Sequence, residues 1–156
     1  MSLVVVRLRG VAGRSPDHRM TLELLRLFKV NHATIVPAND SYRGMLKKVE
    51  HFVTYGDLTK ETAVKLLRER GRAPGNKPLT DTYVREETPY GSLAELAEAL
   101  AGDQVDIGHL DAIKPVFRLN PARGGLEGRG KKHHVSAGGA LGYRGKDINA
   151  FIERML

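Results

Sequence analysis

Leu3-Val4-Val5-Val6-Arg7-Leu8-Arg9-Gly10, followed by Ser15-Pro16-Asp17-His18-Arg19-Met20, decides the fold. The first run is β-branched and apolar, which favours a strand. The second reads as a helix start. Ser15 can cap, Pro16 suits the first helical position, and Asp17 complements the positive end of the helix dipole. Met20, Leu24, Leu27 and Phe28 follow at helical spacing and predict one buried face, so Leu24→Ala is expected to cost a core-cavity penalty. Outward from there the pattern repeats. Ala33-Thr34-Ile35-Val36 predicts a second strand, and Asn39 or Ser41 can cap a second helix with Met45, Leu46 and Val49 inward. Phe52-Val53-Thr54-Tyr55 predicts a third strand. Strands joined through a helix generally lie parallel. The smallest compact solution is one sheet with helices on one face.

The fold class expected is α/β (an α+β sandwich). It has a ferredoxin-like βαβαβ core over residues 1–57 and a mainly helical extension over 58–156. The extension predicts a helix from Thr59 to Arg70, a loop over 71–78, a short helix over 80–87, and a capping box at Ser92 to Glu95. A short strand follows at Val116 to Leu119. Asp147 is expected to cap a final helix over 147–156, with Ile148, Phe151, Ile152 and Met155 inward.

The net charge is +7, and it is local. From Lys114 to Lys146 there are eight basic residues and one acid, while the rest of the chain balances at seventeen of each. Concentrated positive charge points to a polyanion. Residues 123–146 form a basic loop with eight glycines between Gly124 and Gly145. Such a segment buries little apolar surface, so it is expected to order only on a partner, and its removal is expected to leave a folded core. Arg118, Arg123, Arg129, Lys131, Lys132 and Arg144 can neutralise phosphates. Gly124 and Gly125 let the backbone approach a groove. His133, His134 and Tyr143 can stack on unpaired bases. A second basic set, Arg7, Arg9, Arg14, His18 and Arg19 with Arg43, Lys47 and Lys48, is expected to contact phosphate from the core.

Other chemistry is poorly supported. No Cys exists to bridge, attack or ligate. Gly145-Lys146 is followed by Asp147, so no Walker loop forms, and no dinucleotide fingerprint follows the first strand. Adjacent His133 and His134 make a poor metal pair, and Asp106, His109 and Asp111 suit an exposed turn better than catalysis. The expectations are therefore no catalytic residues, no metal, no cofactor, no small-molecule substrate, no membrane and a cytoplasmic chain.

The joint pattern resembles a known family. It lies in Val6-Arg-Leu-Arg-Gly, Pro16-Asp-His-Arg-Met-Thr-Leu, Asn31-His-Ala-Thr-Ile-Val-Pro, Tyr42-Arg-Gly-Met-Leu-Lys-Lys-Val and Phe117-Arg-Leu-Asn-Pro-Ala-Arg-Gly-Gly. Together with the closing Lys146-Asp-Ile-Asn-Ala-Phe-Ile-Glu-Arg-Met, these runs are similar to large-subunit ribosomal protein thirty. The bacterial form resembles only about the first 57 residues. The later runs, and a chain that starts directly at its first strand, look like the archaeal form of the archaeal/eukaryotic type. The resemblance implies a scaffold that binds large-subunit rRNA near 5S rRNA, beside neighbouring ribosomal proteins. It matches Arg14, His18, Arg19 and Arg43 to the family's core motifs, and Arg123, Gly124, Gly125, Lys131, Lys132 and His134 to its late loop. The rival readings are a free RNA chaperone or processing factor, and a ferredoxin-like small-molecule regulatory domain.

Overall fold

The computed structural model describes residues 1–13, 15–126 and 128–156. The opening alternates as the sequence predicts: β1 (Leu3–Arg7), α1 (Pro16–Leu24), β2 (His32–Val36), α2 (Asp40–Lys48) and β3 (Val53–Asp57). The Ser15 side chain accepts from the Asp17 N–H, and that of Asn39 accepts from the Tyr42 N–H. These bonds satisfy donors that a helix start leaves free. The extension adds α3 (Lys60–Arg70), a hairpin β4 (Arg72–Ala73) with β5 (Lys77–Pro78), α4 (Asp81–Glu87), α5 (Leu93–Ala101), β6 (Phe117–Arg118), β7 (Gly142–Tyr143) and α6 (Ile148–Met155).

The main sheet runs β6-β2-β1-β3-β7. The ferredoxin-like α/β sandwich is present, but its pairing corrects one expectation. β1 is antiparallel to both β2 and β3. The cause lies after α1. Arg26 (φ 60°) and Asn31 (φ 69°) turn the chain back along the helix. The Asn31 N–H then reaches the Arg7 carbonyl at 2.8 Å, so β2 starts where β1 ends.

Helices cover both faces of the sheet rather than the one expected, because the extension supplies a second helical layer. Leu3 and Val5 of β1 face a cluster with Leu22, Leu25, Leu46, Val49 and Phe52. Val4 and Val6 face a second cluster with Leu66, Leu67, Leu96, Leu100, Phe117, Phe151 and Ile152. The period-2 alternation of a strand sends successive side chains to opposite faces. A strand buried on both faces reads as the continuous apolar run seen at residues 3–6.

The predicted inward face of α1 is also corrected. Met20, Leu24 and Phe28 are exposed, while Leu22, Leu25 and Leu27 are buried. The predicted stripe assumed a helix through Phe28. The helix stops at Leu24, and Leu27 reaches the core from the return segment. Leu24→Ala is therefore expected to change stability by less than about 0.5 kcal/mol. Leu22→Ala should cost about 3 kcal/mol. Thermal melts of the two variants check this.

Two further details differ. Asp147 makes no side-chain cap, because a 3₁₀ turn at Gly145–Asp147 already carries it in helical conformation. Asn149 takes over the junction. Its Nδ2 donates to the Asp57 and Lys146 carbonyls at 2.9 and 2.8 Å, and its Oδ1 accepts from the Thr59 N–H at 3.1 Å. The expectation that residues 123–146 bury little is overturned by β7. Ala140, Leu141 and Arg144 are buried, and β7 pairs in parallel with β3. The predicted helical face of α6 is fully buried.

Candidate nucleic-acid interface

The core cations divide by burial. Arg7 is only 7% exposed. Its Nε donates to the Arg9 carbonyl at 2.9 Å and its Nη1 to the Leu27 carbonyl at 2.8 Å. Burial lowers its pKa from the ordinary arginine value. Arg7 therefore clasps the end of β1 to the return segment after α1 and offers little to a ligand. Arg9 is half-buried and reaches the His51 carbonyl at 3.3 Å. Arg14 lies outside the described residues. His18 is half-buried, its ring is tilted on Phe52 at 5.4 Å, and its Nδ1 has no partner. Arg19, Arg43, Lys47 and Lys48 are exposed.

The geometry brings part of this set together. α1 and α2 pack on the same face of the sheet, and Lys48 lies 3.5 Å from Asp17 at the start of α1. The charge of Arg43 acts on the phenols of both Tyr55 and Tyr143.

That late segment is partly built rather than loose. The Arg129 N–H donates to the Gly138 carbonyl at 2.9 Å, and the Ala140 N–H donates to the Gly130 carbonyl at 3.0 Å. Between these bonds sit two 3₁₀ turns, Gly130–Lys132 and Val135–Ala137. Arg129, Lys131, Lys132 and His133 are exposed on this frame. His134 is half-buried, and its Nδ1 accepts from the Ser136 N–H at 3.1 Å, so its ring caps the second turn. Gly124 and Gly125 both have φ of +79°, which turns the chain past α6. Arg154 donates to the Gly125 carbonyl there at 3.0 Å, and Arg123 donates to the Leu156 carbonyl at 3.4 Å.

Arg144 points inward. Its Nε donates to Thr54 Oγ1 at 2.7 Å and its Nη2 to the Ala140 carbonyl at 2.8 Å, with the guanidinium 4.2 Å over the Phe151 ring. Thr54 in turn donates to the Gly142 carbonyl at 3.0 Å. Like Arg7, Arg144 holds elements together. Tyr143 stays 46% exposed, and its hydroxyl donates to Asp57 Oδ2 at 2.8 Å.

At the opposite edge of the sheet, Arg118 is exposed on β6 and lines a cleft with Arg70, Arg72, Asn76, Lys114 and Val116. The sequence reading singled out Arg118 there and missed Arg70 and Arg72. Arg68-Glu-Arg-Gly-Arg72 was the available signal, hidden because its charges fall at the junction of a helix and a hairpin.

Asp106 caps a short turn by accepting from the Gly108 N–H at 2.8 Å, and His109 is largely exposed beside it. Among the described residues, no three His, Asp or Glu side chains are placed to hold a metal, and no helix is long and apolar enough to cross a membrane.

The fold and the exposed cations on both sides of the sheet define an α/β protein with a polycationic surface and a built, glycine-rich late segment. Comparison with known proteins gives that class its family. The Ribosomal protein L30p/L7e family matches residues 3–53. Large ribosomal subunit protein uL30 of Thermofilum pendens is 47% identical over 98% of this chain and 97% of its own length. That of Staphylothermus marinus is 46% identical over 97% and 96%, and that of Methanococcus maripaludis strain C5 is 45% identical over the whole of both chains. The chain belongs to the uL30 family of large ribosomal subunit proteins, and these relatives are archaeal.

Proposed function

We propose that this chain is a structural, non-enzymatic constituent of the large ribosomal subunit in the cytoplasm, and that it binds large-subunit rRNA by phosphate and shape contacts. Residues 1–57 act as the docking core. The extension holds the late cations in place beside neighbouring ribosomal proteins, close to 5S rRNA. One observation carries the reading: Arg129, Lys131 and Lys132 project from a short folded frame into solvent, with no acid paired to them among the described residues. Such cations neutralise phosphates and release counterions, which makes binding salt-dependent. Arg19, Arg43 and Lys47 supply exposed charges on the core, with Lys48 beside them shared with Asp17. The enclosed positions of Arg7 and Arg144 favour roles inside the protein.

The test is RNA affinity measured across salt. With about six phosphates neutralised, log K should fall against log salt with a slope near −4 to −5. The variant R129Q/K131Q/K132Q should lose about 2 to 3 of that slope and keep its melting temperature. Salt-independent affinity of the unmodified chain would overturn the reading. Sedimentation separates a subunit constituent from a free RNA chaperone: the constituent migrates stoichiometrically with the large subunit at moderate salt. Footprinting on assembled subunits tests the 5S neighbourhood.

A further inference from the structure

We infer that the cleft between the α3–β4 corner and β6 is a second seat for RNA backbone phosphates, formed by Arg70, Arg72, Lys114 and Arg118 with Asn76. The inference rests on the rRNA-binding reading above and extends it to the opposite edge of the sheet.

The cleft encloses about 160 Å³, and its walls come from separate parts of the chain. Arg70 ends α3, Arg72 opens the β4–β5 hairpin, and Asn76 sits in its turn at φ +64°. Lys114 precedes β6, and Arg118 ends it. A backbone bond fixes the two walls: the Lys114 N–H donates to the Arg72 carbonyl at 2.9 Å.

Four cations line this cleft and no carboxylate does. None of the four is in an ion pair among the described residues. Arg72 spends one donor on the neighbouring Gly71 carbonyl at 2.9 Å. Like charges gathered this way repel one another unless an anion joins them. The surrounding field agrees. His32, paired in register with Arg118, has its pKa lowered first by burial and then by the charges of Arg118, Lys29 and Arg7.

The donor types select the ligand. Arginine presents a planar fork that matches two phosphate oxygens, lysine adds a point charge, and an asparagine amide can donate as well. Four cations around one cleft exceed what one free ion needs, and Lys29 adds a further charge felt at His32. So many charges suit a run of phosphodiesters better than a single free ion.

The experiment uses the full chain and large-subunit rRNA transcribed from the Methanococcus maripaludis sequence. R70Q/R72Q/K114Q should reduce the salt slope of binding by about 2 to 3, with far-UV spectrum and melting temperature retained. R129Q/K131Q/K132Q runs in parallel. If only the late-segment variant lowers the slope, the cleft inference fails and the rRNA reading stands. If neither lowers it, the rRNA reading fails. Should the triple cleft variant misfold, the single variants K114Q and R118Q carry the test, each expected to remove about 0.7 to 0.9 of slope. A third arm melts the unmodified chain in inorganic phosphate against chloride at equal ionic strength. A rise of several degrees in phosphate, absent in the cleft variant, together with an unchanged RNA salt slope for that variant, would assign the cleft to a free anion and overturn the RNA assignment.

Discussion

Residues 123–134 and 135–146 look alike in sequence and differ in structure. Each half carries four glycines and a positive net charge. In the front half, Arg123, Arg129, Lys131 and Lys132 are exposed. In the rear half, Gly139 through Gly142 and Arg144 are buried, and the backbone becomes the outer strand of the sheet. Charge density therefore does not tell which cations face a ligand. Packing does: Arg144 turns inward because Thr54, the Ala140 carbonyl and the Phe151 ring receive its guanidinium, whereas Arg129, Lys131 and Lys132 stay exposed on their turns.

The division breaks most visibly at Gly142. Its φ is +90°, and the His134 imidazole occupies the space a Cβ would need. Valine there would combine left-handed strain with overpacking against a ring that caps the Val135–Ala137 turn. We expect a loss of about 4 kcal/mol, or a fall in melting temperature on the order of 10 °C. A Gly142→Val chain that melts like the parent would mean that the rear half is not part of the folded sheet.

Arg144→Ala is the next test. It removes the bonds to Thr54 and Ala140 and the guanidinium from the Phe151 ring. Charged hydrogen bonds and a desolvated cation–π contact together are worth about 3 kcal/mol. Stability should fall by that amount in urea, with little change in the salt slope of RNA binding beyond the fraction unfolded. The reverse result, a stable protein with a reduced slope, would move Arg144 to the ligand side of the division.

How much of this was legible in the chain depends on the kind of signal. Apolar patterning placed β1, α3 and α6, and caps added to it at α2 and α5, because burial of Leu46, Leu66 or Ile152 is what makes those elements form. The exposure of Met20, Leu24 and Phe28 was not legible, because it depends on where α1 stops, and a left-handed Arg26 carries no strong signal. The second helical layer was hidden for a related reason. The expectation of helices on one face missed it, because the residues that cover the other face lie more than fifty positions from β1. The family was legible from joined motifs. Which cations of the candidate site are free was not, since Arg7 and Arg144 read like any other basic residue until their carbonyl partners are in place. Arg70 and Arg72 were missed because a cleft made by a helix end and a hairpin has no local pattern.

Tyr143 tests where the boundary between the halves runs, because it belongs to the rear strand yet remains open on one side. Its ring lies 5.6 Å from that of Tyr55, tilted by 48°. The hydrogen bond to Asp57 raises its pKa above the ordinary 10.0, with burial and the Asp57 charge adding to the rise. The folded state then holds the phenolic proton more tightly than the unfolded state does. This contribution is fully present below pH 10 and is lost as pH climbs through the raised value. Tyr143→Phe should remove that alkaline loss and leave RNA affinity unchanged, because the ring survives. Tyr143→Ala should weaken binding about fivefold, equal to about 1 kcal/mol, if the open face of the ring stacks on a base. Equal affinity of the alanine and phenylalanine variants would end the RNA-facing surface at His134 and leave the whole rear strand to the fold.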